Sequence, residues 1–408
     1  MYVSTAHATT LCNSRTSFVP RGRNTLHTIF DKHFQDFCAI YEETYGERYG
    51  KFRLERITEV GEHFFTCGDY MQGVARIRCT NPDCGHDYFR PFSCKGFYLC
   101  PSCSQKRTLL FAEHLNEEVL LRLPHRQFVF TFPKALWVFF RYDRKLFAEI
   151  SKMIFAMISD FYREVAGKKI DTGMVIAHQT FGDMLRFNPH FHAILIEGGF
   201  DEEGTFIYLL PLSGLEKMTE YFRRTVVRFF ARRKLINERF ARNMLSWKHS
   251  GFSIDNSVRI LDESSRENLA QYIARPPISL KKIHYEGFKG RVLFHTHYNE
   301  YFKENVHMFN ALDFLAELTQ HIPPKGVQLI RRYGLFSSRI KGAWQSMPYV
   351  AERAPAGWKN QHESQVGALM SGDVGSNADA DFSDDSPDTC TYRRAWVRLL
   401  SKVYEIDP

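Results

Sequence analysis

The 408-residue sequence predicts an α+β fold, and three observations carry the prediction. Apolar positions switch along the chain between helical spacing and strict alternation, so helices and strands are both present. The strand-like runs follow one another as hairpins instead of alternating strictly with helices, which favours a mainly antiparallel sheet flanked by helices over a doubly wound parallel one. Six of the nine cysteines crowd between Cys67 and Cys103, marking off a small N-terminal unit.

The elements follow in order. Leu26, Ile29, Phe30, Phe34, Phe37 and Tyr41 lie on one helical stripe within 26–45. A second helical pattern, 52–65, leads into the cysteines, and a third, 105–122, ends near Pro124. QFVFTF (127–132) reads as a strand closed by Pro133, and 143–166 as a long apolar helix. MVIAHQTF (174–181) and FHAILIEG (191–198) read as strands around a short loop containing Asn188 and Pro189, with FIYLLPL (206–212) as another. Residues 214–246 make one or two helices. A strand near 251–261 precedes a helix at 265–274 that Pro276 and Pro277 stop. SLKKIHY (279–285) and RVLFHTH (291–297) form a hairpin around Gly287 and Gly290. A helix at 309–320 and a segment ending in RRYGLFSS complete the ordered part.

The net charge of +8 is unevenly spread. Residues 363–388 hold seven acidic groups and no Lys or Arg, so the rest of the chain carries +15, a surplus that suits a polyanionic partner. No N-terminal apolar run resembles a secretion signal, and no stretch of about 18 apolar residues could span a bilayer. A cytoplasmic protein with no membrane partner is expected. In that reducing compartment clustered cysteines favour metal over disulfides.

The cluster reads RC(79)TNPDC(84)GHDYFRPFSC(94)KGFYLC(100)PSC(103). Cys79 with Cys84 and Cys100 with Cys103 make two pairs about fifteen residues apart, the spacing of a tetrahedral zinc ribbon. Cys94 and His86 are spare donors, and Cys67 reads as a buried apolar residue. Such a zinc is structural. Lys95, Lys106 and Arg107 flank it.

His190 and His192 sit two apart on an apolar strand, so both imidazoles point to one face of the sheet. Such a pair can chelate a divalent cation and leave positions open for Lewis-acid chemistry. The plain alternative is a pair of satisfied, partly buried histidines; His295 and His297 repeat the spacing later. Tyr272 lies in the last turn of the helix that ends at Pro276, where a tyrosine is usually a packing residue. A phenol is a weak nucleophile at neutral pH, a deficit that a metal polarising a scissile phosphate makes up. His190, His192 and Tyr272 then become one hypothesis, metal-assisted attack of tyrosine on a phosphodiester.

The order of these pieces, a CPSC-ending cluster, QTFG, PHFH, YIARPPIS and RRYGLFSS, resembles the insertion-sequence ninety-one family of rolling-circle, HUH-type transposases. The similarity runs from about residue 30 to 345, with an echo at RAWVRLLSKVYEIDP. The resemblance implies a zinc-binding N-terminal domain (26–122) and an HUH transposase domain (123–345) that nicks one strand through a 5′-phosphotyrosine. A flexible N-terminus (1–25), an acidic linker (346–390) and a C-terminal helix (391–408) surround them. Carried over by motif, Cys79, Cys84, Cys100 and Cys103 are the zinc ligands, His190 and His192 the catalytic metal pair, and Tyr272 the nucleophile. Gln179, on the strand before the histidines, is the first choice for the third ligand. Magnesium or manganese is the implied catalytic metal, and single-stranded element ends and target DNA are the implied partners, with no nucleotide cofactor. Arg275, Arg223, Arg224, Arg331 and Arg332 are candidate DNA contacts, as is the whole basic stretch 223–234. Asn268 occupies the position four before Tyr272, which places the chain with single-tyrosine members. The acidic stretch and the end at Pro408 depart from the family and fit a truncated copy. Two rivals remain: a plasmid replication initiator or relaxase of HUH type, and a zinc-ribbon DNA-binding protein without catalysis.

Overall fold

A computed structural model describes residues 24–81, 84–96, 98–209, 215–260, 263–300 and 303–360 of the chain. The expected flexible start, the acidic stretch 363–388 and the helix at 392–406 lie outside the described residues.

The N-terminal stripe forms helix α1 (Thr25–Ile40), capped by the Asn24 side chain, which accepts from the His27 N–H. Its buried face, Leu26, Ile29, Phe30, Phe34 and Phe37, packs on α2 (Leu54–Phe65). A two-stranded ribbon follows, β1 (Val74–Arg78) paired antiparallel with β2 (Asp87–Pro91). Helix α3 (Pro101–His114) starts with Pro101 in its first turn, where no N–H is needed.

The central sheet begins with β3 (His125–Thr131), followed by α4 (Lys134–Tyr142) and the 22-residue α5 (Lys145–Ala166). Strands β4 (Gly173–Phe181) and β5 (Phe187–Ile196) are almost wholly buried. A small ribbon, β6 (Gly198–Phe200) with β7 (Phe206–Tyr208), precedes α6 (Leu215–Arg232) and α7 (Glu238–Ser246). After β8 (Ser253–Asp255) and β9 (Arg259–Ile260) comes α8 (Glu263–Ile273). A second sheet, β10 (Ile283–Glu286), β11 (Arg291–Asn299) and β12 (Glu304–Asn310), leads into α9 (Ala311–Thr319). Finally β13 (Ile330–Gly334) returns to the central sheet.

The central sheet has the order β13-β4-β5-β3, with β8 and β9 sharing the far edge of β3, and every pairing is antiparallel. The fold is therefore α+β with an antiparallel sheet. Because side chains alternate, β5 shows Phe191, Ala193 and Leu195 to one face and His190, His192, Ile194 and Ile196 to the other. The first face packs under α4 to α7, the second under α3, α8 and residues 335–358. At one end of the sheet Glu197, wholly buried, accepts from Arg126 Nε (2.7 Å), Arg259 Nε (2.8 Å) and the Tyr208 hydroxyl (2.8 Å).

Several details differ from the sequence reading. The segment expected as linker from 346 starts as packed chain, since Val350, Ala354 and Trp358 are buried against the sheet. β12 was hidden because only Phe309 along it is buried, leaving no alternation to read. β1 and β2 were hidden because neither face of that ribbon is covered. Among the described residues no helix is long and apolar enough to cross a membrane.

Candidate active site and metal centres

The histidine pair stands on the strand at the heart of the sheet. Register places Gln179 of β4 opposite His190, and Ala177 and Val129 opposite His192. His190 Nδ1 donates to the Asn188 carbonyl at 2.7 Å, which fixes its tautomer and leaves Nε2 a lone pair. The two rings lie 4.8 Å apart at 76°. Burial lowers both basicities, His190 to about 4 and His192 to about 2, with His190 and then Arg275 adding to the effect at His192. Both are neutral imidazoles at physiological pH, the form that ligates a cation.

Beside the histidine pair, the buried atoms His192 Nε2 and Gln179 Oε1 have no hydrogen-bond partner among the described residues. Both are lone-pair donors of the type a hard or borderline cation takes. Gln179 is held by its own amide nitrogen, which donates to the Ile273 carbonyl at 3.1 Å at the end of α8. The donor set thus fits a divalent cation held by His190, His192 and Gln179.

Gln127 on β3 escaped the sequence reading. Its buried side-chain amide lies 3.1 Å from His192 Nδ1. With the amide oxygen turned to a protonated Nδ1, Nε2 keeps its lone pair; the flipped amide has the same shape. A glutamine opening a predicted strand was visible, but only the β3–β5 register brings it to the histidine.

Tyr272 ends α8 and leans over the same face. Its ring lies 5.2 Å from that of His192, edge-on at 87°, and the Arg275 guanidinium sits 4.2 Å over its other side. Tyr272 is 40% exposed, half in the site and half open to a substrate. The RPP stop matters here: the chain turns at Ala274 and Arg275 and cannot continue the helix past Pro276, so Arg275 folds back over the tyrosine.

The cysteines assemble differently from the expected ribbon. Cys67, Cys94, Cys100 and Cys103 bring their four sulfurs within 4.8 Å of one another, with Cys67 Sγ 3.5 Å from Cys100 and 3.6 Å from Cys103. Tetrahedral ligation at a Zn–S length of about 2.3 Å needs sulfurs roughly 3.8 Å apart. The set fits zinc. Cys100 caps α3 and Cys103 lies in its first turn, where thiolates are favoured. Sulfur–sulfur hydrogen bonds push Cys103 far below the usual thiol range and Cys100 far above it. Cys79 and Cys84 are exposed at the far end of the β1–β2 ribbon, outside this group. The reason is the hairpin itself. It returns residue 92 to residue 68 (Gly68 N–H to Phe92 carbonyl, 3.0 Å), so its base, not its tip, meets the CPSC turn.

A family profile described as "Putative transposase" matches residues 173–343, and one described as "Transposase zinc-binding domain" matches residues 29–132. The chain is 27% identical over 320 residues to the "Transposase for insertion sequence element IS801" of Pseudomonas savastanoi pv. phaseolicola, covering 73% of each chain. The chain belongs to the insertion-sequence ninety-one family of transposases. The transposase is also similar to "Putative transposase y4qJ" of Sinorhizobium fredii (strain NBRC 101917 / NGR234), at 24% identity over 320 residues, 70% of this chain and 79% of that one. No solved structure matches it. It is a DNA-processing enzyme with a zinc-binding domain, and DNA is its partner.

Of the arginines expected at DNA, the transposase keeps Arg275 beside Tyr272, and Arg332 on the histidine face of the sheet, where it reaches the Ser338 hydroxyl at 3.1 Å. Arg331 points to the opposite face. Arg223 is buried on that far side, where it donates to the Met244 carbonyl (2.7 Å) and caps the end of α7; Arg224 is paired with Glu220 at 2.6 Å. The basic helix is an i,i+4-paired surface of the opposite layer, not a wall of the site.

Proposed function

We propose that the transposase is a metal-dependent single-strand endonuclease and strand transferase of HUH type. In this reading residues 123–345 form the nuclease unit and 26–122 the zinc-binding unit. What supports it is one juxtaposition: Tyr272 at 5.2 Å from His192, over a face where His192 Nε2 and Gln179 Oε1 are buried donors in want of a partner.

A magnesium or manganese ion held by His190, His192 and Gln179 would supply Lewis-acid polarisation of the scissile phosphate. The Asn188 carbonyl holds His190 in the ligating tautomer, and Gln127, with its amide turned so that the oxygen accepts from Nδ1, would hold His192 in the same form. The Tyr272 oxygen attacks phosphorus and loses its proton to solvent. The bond from phosphorus to the 3′ oxygen breaks, and that oxygen takes up a proton as a free 3′ hydroxyl. The 5′ phosphate stays on the tyrosine, so the phosphodiester energy is kept and the strand can be rejoined without a nucleotide. Arg275 neutralises the phosphate beside the attack line. The one helix carries one such tyrosine, as the Asn268 position implied.

The test is a labelled single-stranded element end incubated with manganese and run on a denaturing gel. Wild type should give a protein–DNA adduct on the 5′ side and a free 3′ hydroxyl. Tyr272→Phe should bind DNA and give neither. Adduct formation by Tyr272→Phe would show the nucleophile misassigned, and cleavage without an adduct in wild type would make water the attacker. DNA binding with no cleavage in any metal would leave the non-catalytic rival.

A further inference from the structure

We propose that the β10–β11 hairpin is a stacking wedge for single-stranded DNA, with Phe288 at its tip taking an unpaired base. This rests on the single-strand reading above. The hairpin is firmly seated: Ile283, Val292, Phe294 and Phe309 bury the inner face of its sheet in the core shared with α1 and α9. Its turn is closed by the Lys289 N–H on the Glu286 carbonyl at 3.0 Å, and Gly290, at φ 60°, turns the chain back into β11. That rigid turn holds Phe288 wholly in solvent, at 103% relative exposure, above every other large apolar side chain among the described residues. A turn tip accepts any small polar residue, so stability does not ask for an aromatic here.

The surroundings say what would cover it. Between 279 and 291 the hairpin carries Lys281, Lys282, Lys289 and Arg291 against the single acid Glu286. Lys32 of α1 adds a cation beneath, its Nζ 5.6 Å from the Tyr285 ring centre. A second copy of the same basic tip would be repelled, whereas a strand of phosphates with bases on one side complements both the charge and the ring. A single strand is favoured over a duplex because its bases need no unstacking before they meet the phenyl face.

Fluorescence anisotropy of a labelled oligothymidylate with the full-length protein tests the wedge. Phe288 touches nothing, so its variants fold. Phe288→Ala and Phe288→Leu should weaken binding by about 5- to 150-fold, the range for loss of one stacked base. Phe288→Trp should keep affinity, and its indole emission should be quenched when the oligonucleotide is added. A change of less than about twofold in Phe288→Ala would overturn the wedge, as would loss of self-association in light scattering with oligonucleotide affinity unchanged. Wild type failing to bind the oligonucleotide at low salt would instead overturn the single-strand reading on which the wedge stands.

Discussion

Mild acid should destabilise this transposase through three histidines outside the candidate metal site. His125, His178 and His321 are buried, and burial lowers each to about 3, with Arg144 adding to the effect at His178 and at His321. Their unfolded values are near 6.5, so the unfolded chain takes protons that the native state refuses. Stability is complete above that value and declines as the pH falls from 6.5 toward 3. At pH 5 each histidine costs about 2 kcal/mol, and the three together about 6 kcal/mol, a large part of the ~5–15 kcal/mol that holds a domain folded. Zinc thiolates also suffer in acid, so one variant must isolate the histidine share. His321 is suited to this: its Nε2 donates to the Leu185 carbonyl at 2.9 Å, and its Nδ1 accepts from the Thr180 hydroxyl at 3.0 Å. His321→Gln keeps a neutral group there that does not titrate. Urea unfolding followed by tryptophan fluorescence at pH 6 and pH 5 should give a loss of stability between the two that is smaller than in wild type by about 1.2 kcal/mol, a little under one proton's worth. Equal losses in the two proteins would mean that His321 titrates normally, and the burial argument would fail.

Zinc content should follow the structure and not the tighter-looking sequence pairs: Cys67→Ser and Cys94→Ser should lose zinc by elemental analysis, while the Cys79→Ser/Cys84→Ser double variant should keep it. Zinc lost from the double variant alone would return the site to the ribbon tip. Gln127→Leu should weaken manganese binding by about 10- to 100-fold in calorimetry and Gln127→Glu should restore it; equal affinity in all three would remove its orienting role. Glu197→Leu strands Arg126 and Arg259 at the sheet end and should cost about 3–5 kcal/mol of stability, read as a lower urea midpoint. A neutral result there would mean that water already serves those guanidiniums.

What could be read without coordinates were features with a short repeat. The period of two around His190 and His192 fixes a common face regardless of what pairs with the strand, and the RPP stop places Tyr272 at a helix end. What needed coordinates were relations between distant segments. Gln127 becomes meaningful only through the β3–β5 register, and Cys67 only because a hairpin closes on its own base. Arg223 misled for a related reason: six basic residues within the twelve positions 223–234 look like one surface, and burial of one beneath a carbonyl cap leaves no trace in composition.

The boundary near residue 122 suggested two separable units, but the packing crosses it. Arg53 donates to the carbonyls of Gln320 and Ile322 at 2.9 and 2.7 Å, Arg144 reaches the same Gln320 at 2.7 Å, and the Tyr45 and Tyr49 hydroxyls hold Asp313 and Glu317 on α9 at 2.8 Å. The first helix and the three-stranded sheet share one core although more than two hundred residues separate them. Such an arrangement resists recombination. A crossover that exchanged the N-terminal part between relatives would leave half of a hydrophobic interface facing a stranger, so viable hybrids must inherit 24–66 and 278–322 from the same parent. The same ties mean that a fragment cut at 123 keeps every candidate catalytic side chain and still loses the floor beneath its second sheet.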